Sequence, residues 1–248
     1  MKSNLRMMIY TALMTAFVFI TTSIIKIPIP FTDGYIHAGD MCIFVAGILL
    51  GPWYGGFAAG VGSAMADFLG GYPQWVLPTL IIKTIMGMII GYLAKPETNT
   101  KPILVATMTL WVGALITFIF TIGQSSADTL TAHVEEIGTL EQALQMAAEL
   151  RIQLLIVAVG IPLLVIALWQ LRKHYHVSMN QLVSMVISGI WMVFGYYVAS
   201  GIMYGSFIAP IFSIPWNIVQ FTVGAVLAFM VVAALAKANI SQSTLIKN

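Results

Sequence analysis

The sequence predicts an all-α fold, a polytopic bundle of membrane helices. Of its 248 residues, 59% are hydrophobic and only 8% are charged, whereas soluble domains carry about 25% charged residues. The mean hydropathy is +0.93, and the apolar residues form runs that approach or exceed the roughly 20 residues that cross a bilayer. So few charges cannot keep the surface of a soluble protein hydrated, and we expect the chain to lie in a lipid bilayer.

Eight apolar runs predict helices. Two of these runs are short, and the Gly-Pro-Trp-Tyr-Gly-Gly sequence at 51–56 predicts a tight turn between them. The first run is long enough to span and no convincing cleavage site ends it, so we expect a retained helix and not a signal peptide. The predicted helices are 7–27, 36–51, 54–70, 77–95, 103–123, 151–171, 180–204 and 214–237.

The distribution of Lys and Arg predicts that both termini are cytoplasmic, because cytoplasmic loops carry an excess of these residues. With the N-terminus inside, Lys26 and Arg151 fall on the outer side and Lys83 falls within a span. Because both termini are then on the same side, we expect the chain to cross the plasma membrane an even number of times. The cations on the cytoplasmic side are Lys2, Arg6, Lys95, Lys101, Arg172, Lys173, Lys237 and Lys247.

The predicted outer loop 124–150 is acidic and contains Asp128, Glu135 and Glu136. Thr139 followed by Gln142 resembles a capping box. Apolar residues then recur at helical spacing, so we expect an amphipathic helix that runs into the span beginning at 151.

Ionisable residues interrupt three neighbouring apolar runs. Asp40, Asp67 and Lys83 each lie where hydrocarbon is expected, and a charge there costs at least about 2.5 kcal/mol unless it finds a partner, water or a ligand. The rise of about 1.5 Å per helical residue places all three at a similar depth beneath the outer face. This agreement predicts a polar pocket inside the bundle.

Further polar and aromatic residues are expected at this depth. His37 and Asp40 share one helix face at i, i+3 spacing, as do Asn217 and Gln220, and Tyr197 and Tyr204 are further candidates for the wall. Aromatic walls with a few convergent polar groups are typical of a small-molecule site. The predicted substrate-binding residues are His37, Asp40, Asp67, Tyr72, Trp75, Lys83, Trp216, Asn217 and Gln220.

Structural roles for the same residues remain open from sequence. Asp67 and Lys83 are also consistent with a buried ion pair that joins two helices. Asp40 is placed to stabilise a helix N-terminus, and His37 suits a membrane interface. The aromatic residues are typical of an interfacial belt, and the two amides of the last helix are typical of bridges between helices.

Small residues at four-residue spacing predict close helix contacts. Ala12 and Ala16 lie in the first helix, where the spacing is equally consistent with a contact to another protein and with a contact inside the bundle. Glycines at 56 and 60 and at 87 and 91 indicate packing within the bundle.

Motifs for catalysis and metal binding are missing from the sequence. There is no phosphate-binding loop and no His-Glu-x-x-His zinc helix, and the one cysteine, Cys42, excludes a disulfide framework. A net charge of +2 gives no support for nucleic-acid binding. We therefore expect no enzyme, no metal and no cofactor.

Four segments resemble the substrate-binding S component of energy-coupling-factor (ECF) vitamin transporters, in the riboflavin-type group. They are Lys26-Ile-Pro-Ile-Pro-Phe-Thr-Asp-Gly-Tyr-Ile-His-Ala-Gly-Asp40, Leu50-Gly-Pro-Trp-Tyr-Gly-Gly56, Gly62-Ser-Ala-Met-Ala-Asp67 and Trp75-Val-Leu-Pro-Thr-Leu-Ile-Ile-Lys83. The likeness continues in Gly195-Tyr-Tyr and in Ile214-Pro-Trp-Asn-Ile-Val-Gln220.

The resemblance implies a subunit that binds a vitamin or precursor from outside and docks on a membrane coupling protein that carries two ATPases. It also implies that Ala12 and Ala16 match the family's docking motif. The usual S component has six helices, so the chain is expected to hold a six-helix core, 1–95 and 180–248, and an inserted helical pair, 96–179, in one transmembrane domain 1–248.

Three functions are considered. The first is the substrate-binding subunit of an ATP-driven importer, with a pyridoxine or pyrimidine precursor as the expected cargo and pantothenate or riboflavin as alternatives. The second is an autonomous proton-coupled carrier with Asp67 as the proton site. The third is a membrane enzyme or assembly factor.

Overall fold

A computed structural model of the chain describes residues 2–29, 34–124, 139–172, 174–175, 177–207 and 209–247. The residues Asp128, Glu135 and Glu136 of the predicted acidic loop lie outside this part of the chain, as does Lys173 of the predicted cytoplasmic cations.

The described residues form eight helices and one small antiparallel sheet, which confirms the all-α helix bundle. Within them, six helices are long and apolar enough to cross a membrane. Strand β1, Lys26–Pro28, pairs with β2, Tyr35–His37, and short 3₁₀ helices cover Pro73–Trp75 and Ala209–Phe212. The helices are α1 Lys2–Ile24, α2 Asp40–Leu69, α3 Val76–Leu93, α4 Lys101–Gln124, α5 Leu140–Leu171, α6 Met179–Tyr204, α7 Ser213–Lys237 and α8 Gln242–Lys247.

Helix α2 is folded back on itself at Gly51, which confirms the predicted turn. Gly51 has φ 77° and ψ −173°, and Pro52 follows it. A Cβ on Gly55 would lie 2.7 Å from the Cα of Gly47, whereas eight residues of straight helix span about 12 Å. Residues 40–50 and 52–69 are therefore antiparallel halves, and Asp40 returns to the same end as Asp67.

Glycines bring this hairpin close to α3, as the small-residue spacing predicted. A Cβ on Gly87 would lie 2.8 Å from the Gly55 carbonyl oxygen, and one on Gly91 would lie 2.3 Å from the Gly51 carbonyl carbon. Small residues permit such backbone contact between helices. Larger side chains then fill the buried core beside it, among them Phe44 and Met86.

Both ends of the chain lie at one end of the bundle. Arg6 and Tyr10 of α1 line a surface cavity together with residues 238–240 and 244–245. The Asn180 amide, at the start of α6, donates to the carbonyl oxygens of Lys95 (2.5 Å) and Thr98 (2.8 Å) and so ties the end of α3 to this region.

Helices α4 and α5 pack on each other and reach the remaining bundle through α6 and α7. Leu115 and Leu154 are buried between them and the core. Helix α5 runs without a break from Leu140, and the Thr139 hydroxyl accepts from the Gln142 amide (3.3 Å). This confirms the predicted helix that runs from the outer loop into the span. That 96–179 is an insertion remains a prediction.

We predict that Gly55→Ala destabilises the bundle by about 1–3 kcal/mol, because the new methyl group would meet backbone atoms of the facing half of α2. Thermal unfolding in detergent measures the effect.

Gly113→Ala in α4 is the matched control, since nothing lies within 4 Å of a Cβ there and Ala is the better helix former by about 1 kcal/mol. Equal unfolding midpoints for the two variants would contradict the hairpin packing.

Candidate functional site

A small cavity of about 30 Å³ opens at the end of the bundle opposite the termini. It lies between the β hairpin, the second half of α2, α3, α6 and α7. At roughly 10–15 Å³ for each water molecule, it holds about two. The lining residues are Ile29, Gly34, Tyr35, His37, Asp67, Trp75, Thr79, Tyr196, Ser200, Ser213, Asn217 and Gln220.

The structure describes all nine predicted site residues and places them in two groups, those that line the cavity and those that do not. Five of them line the cavity: His37, Asp67, Trp75, Asn217 and Gln220. The other four do not border it: Asp40, Tyr72, Lys83 and Trp216.

Lys83 and Asp40 form a buried ion pair beneath the cavity. The Lys83 ammonium contacts Asp40 Oδ1, and both side chains are 0% exposed. The second carboxylate oxygen, Oδ2, accepts from Gln220 Nε2 (3.1 Å), while Gln220 Oε1 accepts from the backbone amide of His37 (3.0 Å). The pairing of Lys83 with Asp67, which the sequence left open as an alternative, does not form, because the side chain of Lys83 is directed to the first turn of α2.

Asp67 faces the cavity instead, with one oxygen bonded and one open. The Tyr35 hydroxyl donates to Oδ1 (2.5 Å). Oδ2 is buried and has no hydrogen-bond partner among the described residues. The hydroxyl of Thr79 lies near the carboxylate. A buried acceptor without a donor costs about 1–3 kcal/mol, and more when charged. This oxygen is therefore suited to a donor on a bound molecule.

Asp67 is the only acidic residue among the described residues that line the cavity, and the ionisable groups beside it are neutral. Burial, followed by the positive charge of Lys83, lowers the pKa of His37 to about 3, and His37 Nδ1 accepts from the Gly39 amide (3.0 Å). Burial and the nearby Asp67 raise the pKa of Tyr35, so its hydroxyl stays protonated. No Lys or Arg is among the described residues that line the cavity.

Aromatic side chains build the wall and the rim. The Trp75 and Tyr196 rings meet edge to face at 5.7 Å between centroids, and the Tyr196 hydroxyl lies 3.1 Å from that of Thr79. At the rim, Tyr72 packs on Tyr35 at 4.6 Å. Lys26 lies 4.5 Å from the centroid of the Tyr35 ring, which adds a cation–π contact.

Sequence reasoning missed several lining residues. Tyr196 lines the cavity, whereas the predicted Tyr197 bonds through its hydroxyl to the Phe207 carbonyl oxygen (3.2 Å). Tyr35 and Thr79 were also missed. Their signals in the sequence are weak: Tyr35 alternates with His37, and Thr79 lies one helical turn before Lys83.

The long apolar helices of the bundle define a polytopic membrane protein. The family model for the ECF-type riboflavin transporter, S component, matches residues 2–168 and 151–237. The chain belongs to this family of transporter components.

A relative from Pyrococcus woesei, described as "Uncharacterized protein in gap 3'region", is 48% identical over 89 residues. The match covers 36% of this chain and 60% of that protein. No solved structure matches the chain. Within the described residues, no group of three or more His, Cys, Asp or Glu is placed to hold a metal ion.

We predict that Lys83→Met destabilises the protein by about 3–5 kcal/mol, since it leaves the buried Asp40 carboxylate without its cation. Chemical unfolding followed by tryptophan fluorescence measures the loss.

The double variant Asp40→Asn/Lys83→Met is the control. Both groups are then neutral, and the amide introduced at position 40 still offers an oxygen to Gln220, so most of the stability returns. A single variant as stable as the unmodified protein would contradict the ion pair.

Proposed function

We propose that the chain is the substrate-binding subunit of an ATP-driven importer and that it captures a small heterocycle from the outer face. Its membership of the S-component family and its polytopic helix bundle support this function. The open oxygen of Asp67, in a cavity with aromatic walls, is the observation that carries it.

The chemistry of the cavity favours a neutral or zwitterionic cargo that presents hydroxyl or amino donors. Asp67 accepts from such donors and Asn217 adds a neutral amide, whereas the Gln220 amide is committed to Asp40 and to the His37 backbone. The Trp75 and Tyr196 rings supply apolar surfaces for a heterocycle. A pyridoxine or pyrimidine precursor fits this pattern.

A carboxylate cargo such as pantothenate is disfavoured. Lys83, the cation predicted to meet a carboxylate, is sealed against Asp40 and does not reach the cavity. Riboflavin is neutral, but its three-ring system demands the largest expansion of the cavity.

Cargo binding also requires the cavity to widen, because ligand pockets measure about 300–1,000 Å³ and this one measures about 30 Å³. Two hydrogen bonds hold β2 against the bundle, from the Tyr35 hydroxyl to Asp67 and from the His37 amide to Gln220. We propose that hydrogen-bond donors of the cargo replace the Tyr35 hydroxyl on Asp67. The β hairpin, β1 and β2, can then move outward.

Mass spectrometry first identifies the cargo that the protein retains on purification. We predict that Asp67→Asn weakens binding of this cargo by about 10–100-fold, because a hydrogen bond to a charged group contributes ~1.5–3 kcal/mol. Asn217→Ala should weaken it as well. Isothermal titration of the stripped protein measures both effects.

Glu97→Gln is the matched control, because Glu97 is exposed and lies just after α3, at the end opposite the cavity. Loss of folded protein in Asp67→Asn, in step with loss of binding, would show a structural role for this carboxylate instead.

The proposed orientation places the cavity outside and both termini in the cytoplasm. The termini lie at one end of the bundle, where the predicted excess of Lys and Arg also falls. Ala12 and Ala16 are exposed on α1 and are the proposed contact with the membrane coupling protein and, through it, with two ATPases.

We predict that Ala12→Leu/Ala16→Leu abolishes recovery of the coupling protein and ATPases in a pull-down, because bulky side chains prevent close helix approach. Cargo binding should be unchanged. Ala106→Leu, at an exposed position of α4, is the control.

Vesicle uptake separates this function from an autonomous carrier. Uptake that needs the coupling protein and ATP supports the proposal. Uptake by the chain alone, driven by a proton gradient, would contradict it.

A further inference from the structure

A second cavity, distinct from the cargo site, lies between the last turns of α5 and α7. It is an open groove of about 490 Å³, within the range of about 300–1,000 Å³ that is usual for ligand pockets. Its end at Lys237 adjoins the segment 238–245, which together with Arg6 and Tyr10 marks the end of the bundle where the termini lie.

The groove is apolar along its length, and its shape suits a hydrocarbon chain. Phe229 is buried at its floor, and Tyr175 meets Phe229 edge to face at 5.9 Å between centroids. Ala233 and Ala234 keep the groove open because their side chains are small. Leu171, on its rim, is 47% exposed. A concave apolar surface of this kind on a membrane helix bundle suits a hydrocarbon chain.

One positive charge lies at an end of the groove. Lys237 is the only charged residue among the described residues that line it, and it has no ion-pair partner among the residues described. Arg172 directly follows the rim residue Leu171 at the end of α5, although it is not among the residues that line the groove. The Arg172 Nε atom is buried and lacks a hydrogen-bond partner within the described part of the chain.

We propose that this groove binds an anionic membrane lipid, with one hydrocarbon chain along the apolar floor and the phosphate-bearing headgroup at Lys237 and Arg172. A guanidinium and an ammonium at the cytoplasmic end of membrane helices are typical of sites for acidic headgroups. The site is separate from the cargo cavity; it rests on the proposed orientation of the bundle and not on the proposed transport of a cargo.

Native mass spectrometry of the full chain in detergent tests the proposal, with phosphatidylglycerol as the anionic probe and phosphatidylcholine as the neutral one. The protein should retain phosphatidylglycerol in preference. Lys237→Gln and Arg172→Gln should each reduce its retention about fivefold, from the contribution of one basic residue near the membrane surface. Lys237→Arg should keep it.

Matched controls separate charge and shape from general effects. Lys101→Gln removes an exposed cation at the start of α4 and should leave retention unchanged. Ala233→Phe fills the groove and should abolish retention, whereas Ala114→Phe, at an exposed position of α4, should not. Thermal unfolding identifies any variant that fails to fold, and the remaining variants then decide.

Three results would overturn the proposal. One is equal retention of the two lipids. Another is an equal loss in Lys101→Gln and Lys237→Gln. The third is a dimer of the chain that Ala233→Phe dissociates without affecting lipid retention, which would assign the groove to a second copy.

Discussion

The fully buried ion pair between Lys83 and Asp40 is the constraint on which the rest of the site depends. It joins the first turn of α2 to α3, and Gln220 extends it to α7 and to the backbone of β2. Charges in hydrocarbon are costly unless they are paired, so helix rotations that separate these groups are strongly disfavoured. Because Asp40 satisfies Lys83, one oxygen of the Asp67 carboxylate, Oδ2, is left open at the cavity. The division of labour between the two acids, one structural and one open, follows from this single pairing.

The pair can form only because the backbone of α2 reverses. Gly51 adopts a positive φ that favours glycine, and the two halves of α2 then run antiparallel at backbone contact. This geometry returns Asp67 to the end at which Asp40 begins. The glycines of α3 allow the same close approach from the other side, which brings Lys83 within reach. Backbone proximity, paired charge and the open oxygen are thus successive consequences of one local sequence.

Much of the arrangement could be predicted from the sequence, and the rest could not for physical reasons. The shared depth of Asp40, Asp67 and Lys83 follows from helical rise alone, and the turn at Gly51 follows from its Gly-Pro pair. Which acid pairs with Lys83 depends on how each helix is rotated about its axis. Because these helices are apolar on all sides, the sequence pattern does not specify that rotation. The same uncertainty explains why Tyr197 was chosen where Tyr196 lines the cavity. The β hairpin was missed because strands of three residues carry too little alternation to be recognised.

The most direct measurement is an experimental structure of the chain with the small molecule that it retains. If the open oxygen of Asp67 receives the cargo, a hydroxyl or amino group of that molecule will lie within hydrogen-bonding distance of Asp67, its ring will contact Trp75 or Tyr196, and Lys83 will still be paired with Asp40. A molecule bound elsewhere, or one whose carboxylate has drawn Lys83 away from Asp40, would contradict this assignment of the site.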